Sequence, residues 1–363
     1  MRHATIYVGM DVHRNSTTMT ALSQDGAVVA RRKVPSNREA IQSALRELGD
    51  GPLVAAFEAS GSWYWVADAL EELPNVEAKL ANPHKTRVIA EAQMKTDEVD
   101  AMALAQLLRM GWLPESRLIS RDKRSVRDRM RCRIRLVQLR TALKNQVHGI
   151  LIKHGVENAF SDLFGVKGLE WLRELALPGF YGEDRDALLR LIKRIDEEVA
   201  LIDKWITKTV RATRDAEMLT TIPGIGKIGA LILLSEIGDI NYFKSPRKLS
   251  AYAGLAQGIY QSGEKTIIRG LRTDSNKYIR WICVEAVTKA VRVVPGWKRL
   301  YDSICRMDKS KKPKARAAVA HKIIKAAWRV LATKEPFDHL AGERKNPAGQ
   351  LDKGVWSETR PRV

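Results

Sequence analysis

Ile6-Tyr7-Val8-Gly9-Met10-Asp11-Val12 is an apolar run broken only at Asp11, the pattern of a buried strand that carries one acid. Ser16 to Ala21 follows a short polar break and alternates enough to be its partner, so Asp11 is expected near the middle of a hairpin-like sheet. Leu53-Val54-Ala55-Ala56-Phe57-Glu58, bounded by Gly51-Pro52 and Ser60-Gly61, reads as a second buried strand with its acid at the carboxyl end. Ligands of such sheets gather at that edge. In Lys95-Thr96-Asp97-Glu98-Val99-Asp100-Ala101, Asp97 and Asp100 open a helical stretch, Val99 to Arg109, and a spacing of three puts both carboxylates on one face. Four acids placed in this way are a means of holding two divalent metals for phosphodiester chemistry. Close like charges repel unless a cation neutralises them, and a hard, oxygen-seeking ion such as Mg²⁺ does so. Each acid also has an ordinary reading, as a helix cap, a surface charge or part of an acidic first helical turn. Only the combination points to metal.

Outward from this core, residues 1 to about 120 alternate strands and helices: three strand candidates up to Val34, a helix from Arg38 to Leu48, the Glu58 strand, a helix from Trp63 to Leu73, a short strand from Val76 to Ala81, then the acidic helix. Three adjacent strands before the first helix fit a ribonuclease H-like α/β fold better than a regular βαβ repeat. Residues 121–212 read as a basic helix and a coiled-coil region. From Ser125 to His154, Arg127, Arg131 and further cations are set among apolar positions, forming either a phosphate track or a solvated charged face. Leu188, Ile192, Ile195, Val199, Ile202, Ile206 and Thr209 step by four and three in turn. That heptad seam either folds back on the preceding helices or pairs two protomers. Residues 213–340 form a mainly helical third segment, and 341–363, with Pro347, Gly349, Gly354 and Pro361, read as a disordered tail.

Composition agrees with a phosphate-rich partner. The 363 residues carry 62 Lys and Arg against 42 Asp and Glu, a net charge of +20, and the pI is about 9.9. No apolar run approaches the length needed to span a bilayer, and Met-Arg-His-Ala-Thr leads into a strand instead of a signal peptide. Cys132, Cys283 and Cys305 are few, odd in number and far apart, which argues against a disulfide framework or zinc cluster and suits a reducing cytosol.

In the third segment, Ile222-Pro223-Gly224-Ile225-Gly226-Lys227, with helical residues on either side, predicts a helix-hairpin-helix whose backbone N–H groups face a phosphate. A glycine-rich turn that merely joins two helices is the alternative. The Gly-Lys-Ser/Thr ending of a Walker loop is absent, so no nucleoside triphosphate is implied. After a helix from Leu249 to Leu255, Ser262 is expected in a polar loop between glycines, with Lys265, Arg269 and Arg272 close enough in sequence to bind a phosphate beside its hydroxyl. No histidine adjoins it, and a turn serine is the plain reading. Lys309 to Arg316, with Lys311, Lys312 and Lys314, is a basic loop suited to a nucleic-acid backbone or simply to solvent, before a helix from Ala317 to Leu331.

The set Gly-Met-Asp11-Val-His, Phe-Glu58-Ala-Ser-Gly-Ser, Lys-Thr-Asp97-Glu-Val-Asp100-Ala, Ile-Pro-Gly-Ile-Gly, Ala-Tyr-Ala-Gly-Leu and Gln-Ser262-Gly-Glu resembles the DEDD transposases of the insertion sequence 110 family, in order from residue 5 to about 340. The resemblance implies a RuvC-like amino-terminal domain, a coiled-coil linker and a carboxyl-terminal domain bearing a serine. It implies that Asp11, Glu58, Asp97 and Asp100 bind Mg²⁺, with Mn²⁺ as a substitute, and that Ser262 attacks the scissile phosphate to form a covalent phosphoserine link to DNA. A bridge RNA guide, donor and target DNA, a dimer or synaptic tetramer, a site composed between protomers, and a prokaryotic cytoplasm at the nucleoid are implied in the same way. Gln257-Gly258-Ile259-Tyr260 departs from the Pro-Arg or Pro-Ser pair common in relatives.

Three other functions stand beside this one. A RuvC-type junction nuclease would need the acids but not Ser262. A sugar kinase or actin-like ATPase shares the strand order, but His13-Arg14-Asn15 poorly replaces its phosphate hairpin. A non-enzymatic nucleic-acid binder would leave the acid quartet without a purpose.

Overall fold

A computed structural model describes residues 4–89, 96–262, 265–271, 275–306 and 308–338. The chain divides into two units, Met1–Arg121 and Asp122–Val363.

The first unit is built on β1 (Ile6–Val12), β2 (Ser16–Leu22), β3 (Val28–Pro35), β4 (Leu53–Glu58), β5 (Val76–Ala81) and the short β6 (Glu115–Ser116), in the order β3-β2-β1-β4-β5-β6. The pairs β1–β2 and β2–β3 are antiparallel, β1–β4 and β4–β5 are parallel, and β6 closes the edge antiparallel to β5. Antiparallel neighbours need only tight turns, whereas the parallel pairs need crossovers. Accordingly α1 (Arg38–Arg46) leads to β4 and α2 (Trp63–Glu71) to β5. Asn37 starts α1 by accepting the Ala40 N–H at 2.8 Å. Both helices cover one sheet face, where Ile41, Leu45, Val66 and Leu70 join Val8, Met10, Met19 and Phe57 in a single core. After α3 (Pro83–Ile89), α4 (Asp97–Arg109) covers the other face, with Leu104 and Leu108 packed among Tyr7, Val54, Ala56 and Ala81. This mixed sheet with helices on both faces is the architecture expected of a ribonuclease H-like domain.

The second unit begins with two long helices, α5 (Arg121–Lys153) and α7 (Tyr181–Ala212), joined through α6 (Val166–Glu174). They run antiparallel: Arg133 forks onto Asp203 (Nε–Oδ1 2.6 Å, Nη2–Oδ2 3.0 Å), and Arg140, seven residues on, bonds Asp196, seven residues back. The heptad seam is thus folded back within the chain. Met130, Ile134, Leu143, Val147 and Leu151 of α5 meet Leu189, Ile192, Ile195, Val199, Ile202, Ile206 and Val210 of α7. The ends of the stripe are Leu189 and Val210; Leu188 and Thr209 are only half-buried. Within this chain, α5 occupies the stripe.

Then come α8 (Arg214–Leu219), α9 (Lys227–Ile237), α10 (Pro246–Tyr252), the hairpin β7 (Gln257–Ser262) and β8 (Lys265–Leu271), α11 (Lys277–Val293), α12 (Pro295–Cys305) and α13 (Lys312–Thr333). Their core joins Leu233 of α9, Val287 of α11 and Ile323 of α13. Two expectations change here. The Ser262 segment is a β-hairpin instead of a loop, because Ile259-Tyr260 and Thr266-Ile267-Ile268 are strand formers that pair across two residues. The basic stretch is not a loop up to Arg316: Lys309–Lys311 is a 3₁₀ turn and Lys312 already opens α13, with Pro313 in its first turn. Residues 341–363, read as a tail, lie outside the described residues. No helix among the described residues is long and apolar enough to cross a membrane.

Candidate active site

Strand alternation decides which side chains meet α4. On β1, Val8 and Met10 enter the core beneath α1 and α2, which turns Tyr7, Gly9 and Asp11 to the opposite face. On β4, Leu53, Ala55 and Phe57 take the first face, so Val54, Ala56 and Glu58 take the second. The parallel register pairs Met10 with Phe57, and the next step along both strands sets Asp11 beside Glu58. A Cβ on Gly9 would lie 2.0 Å from the Ala101 carbonyl oxygen and 2.5 Å from the Ala105 nitrogen, so α4 rests directly on β1. Thr96 caps α4, its hydroxyl accepting the Val99 N–H at 3.3 Å, and so starts the helix at Asp97. The first turn of α4 thereby carries Asp97 and Asp100 to Asp11, whose carboxyl feels both charges, while Glu58 stands at the end of the neighbouring strand. Neither Glu58 nor Asp100 joins the close group of ligand atoms that Asp11, His13 and Asp97 form.

The electrostatics show what this convergence costs. Asp11 is mostly buried, its side chain 16% exposed. Burial pushes its carboxyl above the usual range; His13 opposes the rise, and the charges of Asp100 and Asp97 add to it. Asp97 is more open and is held below the usual range, chiefly by a hydrogen bond from Lys33. His13 Nε2 lies 3.0 Å from Asp11 Oδ2 and 3.3 Å from Asp97 Oδ1, and Lys33 Nζ donates to Asp97 Oδ2 at 3.3 Å. Neither residue stood out in the sequence as part of the site. His13 follows Asp11 by two, a spacing that keeps to one side of an extended chain and was the available signal. Lys33 is found only through strand register: Asp11 pairs with Thr18, and Thr18 with Lys33, in one row across the sheet.

One ligand atom each from Asp11, His13 and Asp97 lies within 4.8 Å of the others. Carboxylates gathered at one sheet edge, one of them destabilised by burial and by its acidic neighbours, fit a divalent cation, which would remove the repulsion.

In the second unit, Ser262 pairs with Lys265 at the end of the hairpin, and Arg269 pairs with Gly258 farther along β8. The side chains of Ser262, Lys265 and Arg269, and all of Arg272, lie outside the described residues. Gly224 has φ +90°, and a Cβ there would lie 2.3 Å from the Ala286 carbonyl oxygen of α11. Its glycine is therefore demanded by helix packing. Gly226, at the N-cap of α9, has open space around it, and both it and Lys227 are exposed. On α5, Arg127 is 8% exposed, and the Arg131 guanidinium is occupied by Glu236 instead of turned outward. Lys311, Lys312 and Lys314 are exposed at the start of α13, Lys311 paired with Asp308 at 3.3 Å.

Two family models match in chain order. Residues 8–154, which contain all four acids, match the DEDD transposase of IS110 type, and residues 216–302, which contain Ser262, match the transposase of the IS116/IS110/IS902 family. The chain belongs to the IS110/IS116 transposase family. Members of this family catalyse DNA cleavage and strand transfer, and the DEDD domain implies use of a divalent metal. The transposase is 23% identical over 346 residues to the transposase for insertion sequence element IS1111A of Coxiella burnetii, covering 91% of this chain and 90% of the relative. It is 24% identical to the transposase for insertion sequence element IS1328 of Yersinia enterocolitica, over 77% of this chain and 81% of the relative. It is 28% identical over 153 residues to a pilin gene-inverting protein of Moraxella bovis, over 40% of this chain and 47% of that protein.

Proposed function

We propose that this transposase cuts and rejoins DNA with Mg²⁺, or Mn²⁺ in its place, held by Asp11, Glu58, Asp97 and Asp100, and with Ser262 as the attacking group. The observation that carries the metal half is the convergence of β1, β4 and α4 on one edge, with Asp11 strained towards protonation by burial and neighbouring acids. A bound divalent ion supplies charge neutralisation on phosphate and lowers the pKa of an attacking hydroxyl. A hydrogen bond from Lys33 holds Asp97 below the usual carboxylate range, which favours its charged form. His13 bridges Asp11 and Asp97 and holds the two carboxylates at a common point.

The serine half is supported by the place of Ser262 at the end of β7, next to the hairpin turn, and by the family resemblance of its Gln-Ser-Gly-Glu motif. In the proposed step the Ser262 hydroxyl gives up its proton as its oxygen bonds to phosphorus. The phosphorus–oxygen bond to one side of the chain breaks, and that strand departs with a free hydroxyl. Attack of a new strand's hydroxyl on the phosphoserine reverses the exchange and frees the serine. The name of the Moraxella relative, which concerns gene inversion, favours this rejoining chemistry over simple cutting. Guidance by an RNA, action as a homo-oligomer and a place at the prokaryotic nucleoid follow from the same resemblance. Gly226, Lys227, Lys311, Lys312 and Lys314, all exposed, are the proposed nucleic-acid contacts.

The test is recombination of donor and target plasmids with the cognate RNA and Mg²⁺, comparing wild type, Ser262→Ala and Asp11→Ala, with denaturing gels to trap protein on DNA. Both variants are expected to lose joining, and Ser262→Ala to lose the covalent adduct. Continued cutting and joining by Ser262→Ala, with none by Asp11→Ala, would instead establish a RuvC-type metal nuclease.

A further inference from the structure

Glu236, on α9, is 1% exposed and carries a charge into the core of the helical unit. Arg131 of α5 grips it with two bonds, Nε–Oε1 at 2.6 Å and Nη2–Oε2 at 2.8 Å, while its guanidinium lies over the Tyr278 ring, 4.7 Å from the ring centre. The same Oε2 accepts from Asn276 Nδ2 at 2.7 Å, and that amide also reaches the Tyr252 hydroxyl at 3.2 Å. Asn276 Oδ1 caps α11 through the N–H groups of Tyr278 and Ile279, both at 3.1 Å.

These contacts sit where the serine hairpin leaves the helical core. Tyr252 ends α10 just before the hairpin, and Asn276 precedes α11 just after it. The Asn276 N–H donates to the Tyr252 carbonyl at 2.9 Å, and Arg280 Nε donates to the Ala253 carbonyl at 3.4 Å while its Nη2 bonds the Ser275 hydroxyl. Gly254, at φ +66°, fits only without a side chain, since a Cβ would meet Arg280 Nη2 at 2.0 Å and Ser275 Oγ at 2.2 Å. The two stalks of the hairpin are thus pinned together in a neck.

We propose that Glu236 is a positioning residue: held by Arg131, it fixes Asn276, and through Asn276 the neck that aims the Ser262 hairpin. A buried carboxylate is a costly way to stabilise a fold, because a well-packed apolar pair of similar volume generally serves as well or better. What an apolar pair cannot supply is an acceptor that holds the Asn276 amide in one orientation. The acceptor, not the charge, is then the working part, and Arg131 serves to match the buried charge. The consequence for catalysis rests on the serine reading above; the consequence for the hairpin does not.

The test uses the full-length protein and two paired variants that leave no unmatched charge. Arg131→Met with Glu236→Gln keeps an acceptor for Asn276, and Arg131→Met with Glu236→Leu removes it. The Leu pair is expected to exchange its β7 and β8 amides about tenfold faster and to form the serine–DNA adduct about tenfold more slowly, with DNA affinity unchanged. The Gln pair is expected to match wild type in both. Asn276→Ser, which keeps a capping oxygen but loses the amide donor, is expected to loosen the hairpin as the Leu pair does, and it serves if the Leu pair does not fold. Wild-type hairpin exchange in the Leu pair or in Asn276→Ser, or equal damage in the Gln pair, overturns the proposal. If wild type itself makes no Ser262-dependent adduct, the serine reading falls, and the exchange rates alone decide the neck.

Discussion

Gly9→Ala tests how the acidic site is assembled. The new methyl would be placed 2.0 Å from the Ala101 carbonyl oxygen, 2.5 Å from the Ala105 nitrogen and 3.0 Å from the Leu104 Cβ. Two of these neighbours are helix backbone and cannot rotate away. Since real Cβ contacts essentially never fall below 3.0 Å, α4 has to retreat by about 1 Å, and overpacking of this kind typically costs about 1–3 kcal/mol. The unit is therefore expected to fold with a lowered denaturation midpoint. The larger effect is on the site, because Asp97 and Asp100 ride on α4 while Asp11 and Glu58 remain on the sheet. A displacement of about 1 Å in a catalytic array is worth roughly 10²-fold in rate. The assay is Mg²⁺-dependent strand cleavage, with calorimetric titration of Mg²⁺ and urea unfolding on the same preparation. Wild-type cleavage together with an unchanged midpoint would refute the close approach of α4 to β1 as the device that builds the site.

Asp11→Asn separates stability from activity. A carboxyl raised by folding contributes stability that is present below its ordinary pKa and is lost as pH climbs through the raised value. The metal-free variant is thus expected to be more resistant to urea than wild type at about pH 7, with the gap closing as pH falls below the ordinary carboxylate pKa, where the acid is neutral in both folded and unfolded chains. Its Mg²⁺-dependent cleavage should vanish; a variant less stable at neutral pH would contradict the strain assigned to Asp11. In the helical hairpin, Ile206→Ala removes a side chain that is 1% exposed and is expected to cost about 2–5 kcal/mol in urea melts. If this change left the midpoint in place, the intramolecular pairing of α5 and α7 would be wrong.

Much of the acidic site was legible because it is written in short-range patterns. An apolar run with one acid, a strand ending in Glu58 and a spacing of three in Asp97 and Asp100 each depend on fewer than ten neighbouring residues, and the side-chain periods of strand and helix translate them directly into faces. The serine segment was less legible, because its two short runs are separated by residues that serve a loop as readily as a turn, and among the described residues β7 and β8 pair with one another alone.

Arg131 shows the limit more sharply. Its place in a basic run says that it shares a helix with other cations, but the partner that occupies it lies 105 residues away on α9. The heptad stripe of α7 likewise announces a partner without naming one, since apolar side chains have no direction in sequence, and α5 or a second protomer would satisfy the same spacing. By itself the sequence determined the strand and helix order and the family, and it singled out the four candidate acids, all consequences of local periodicity and motif. The tertiary structure alone decided that His13 and Lys33 join the acids, that Gly9 lets α4 descend, that α5 covers the seam and that Glu236 anchors the hairpin neck. These depend on register and on contacts between distant segments, which come into being only when the chain packs.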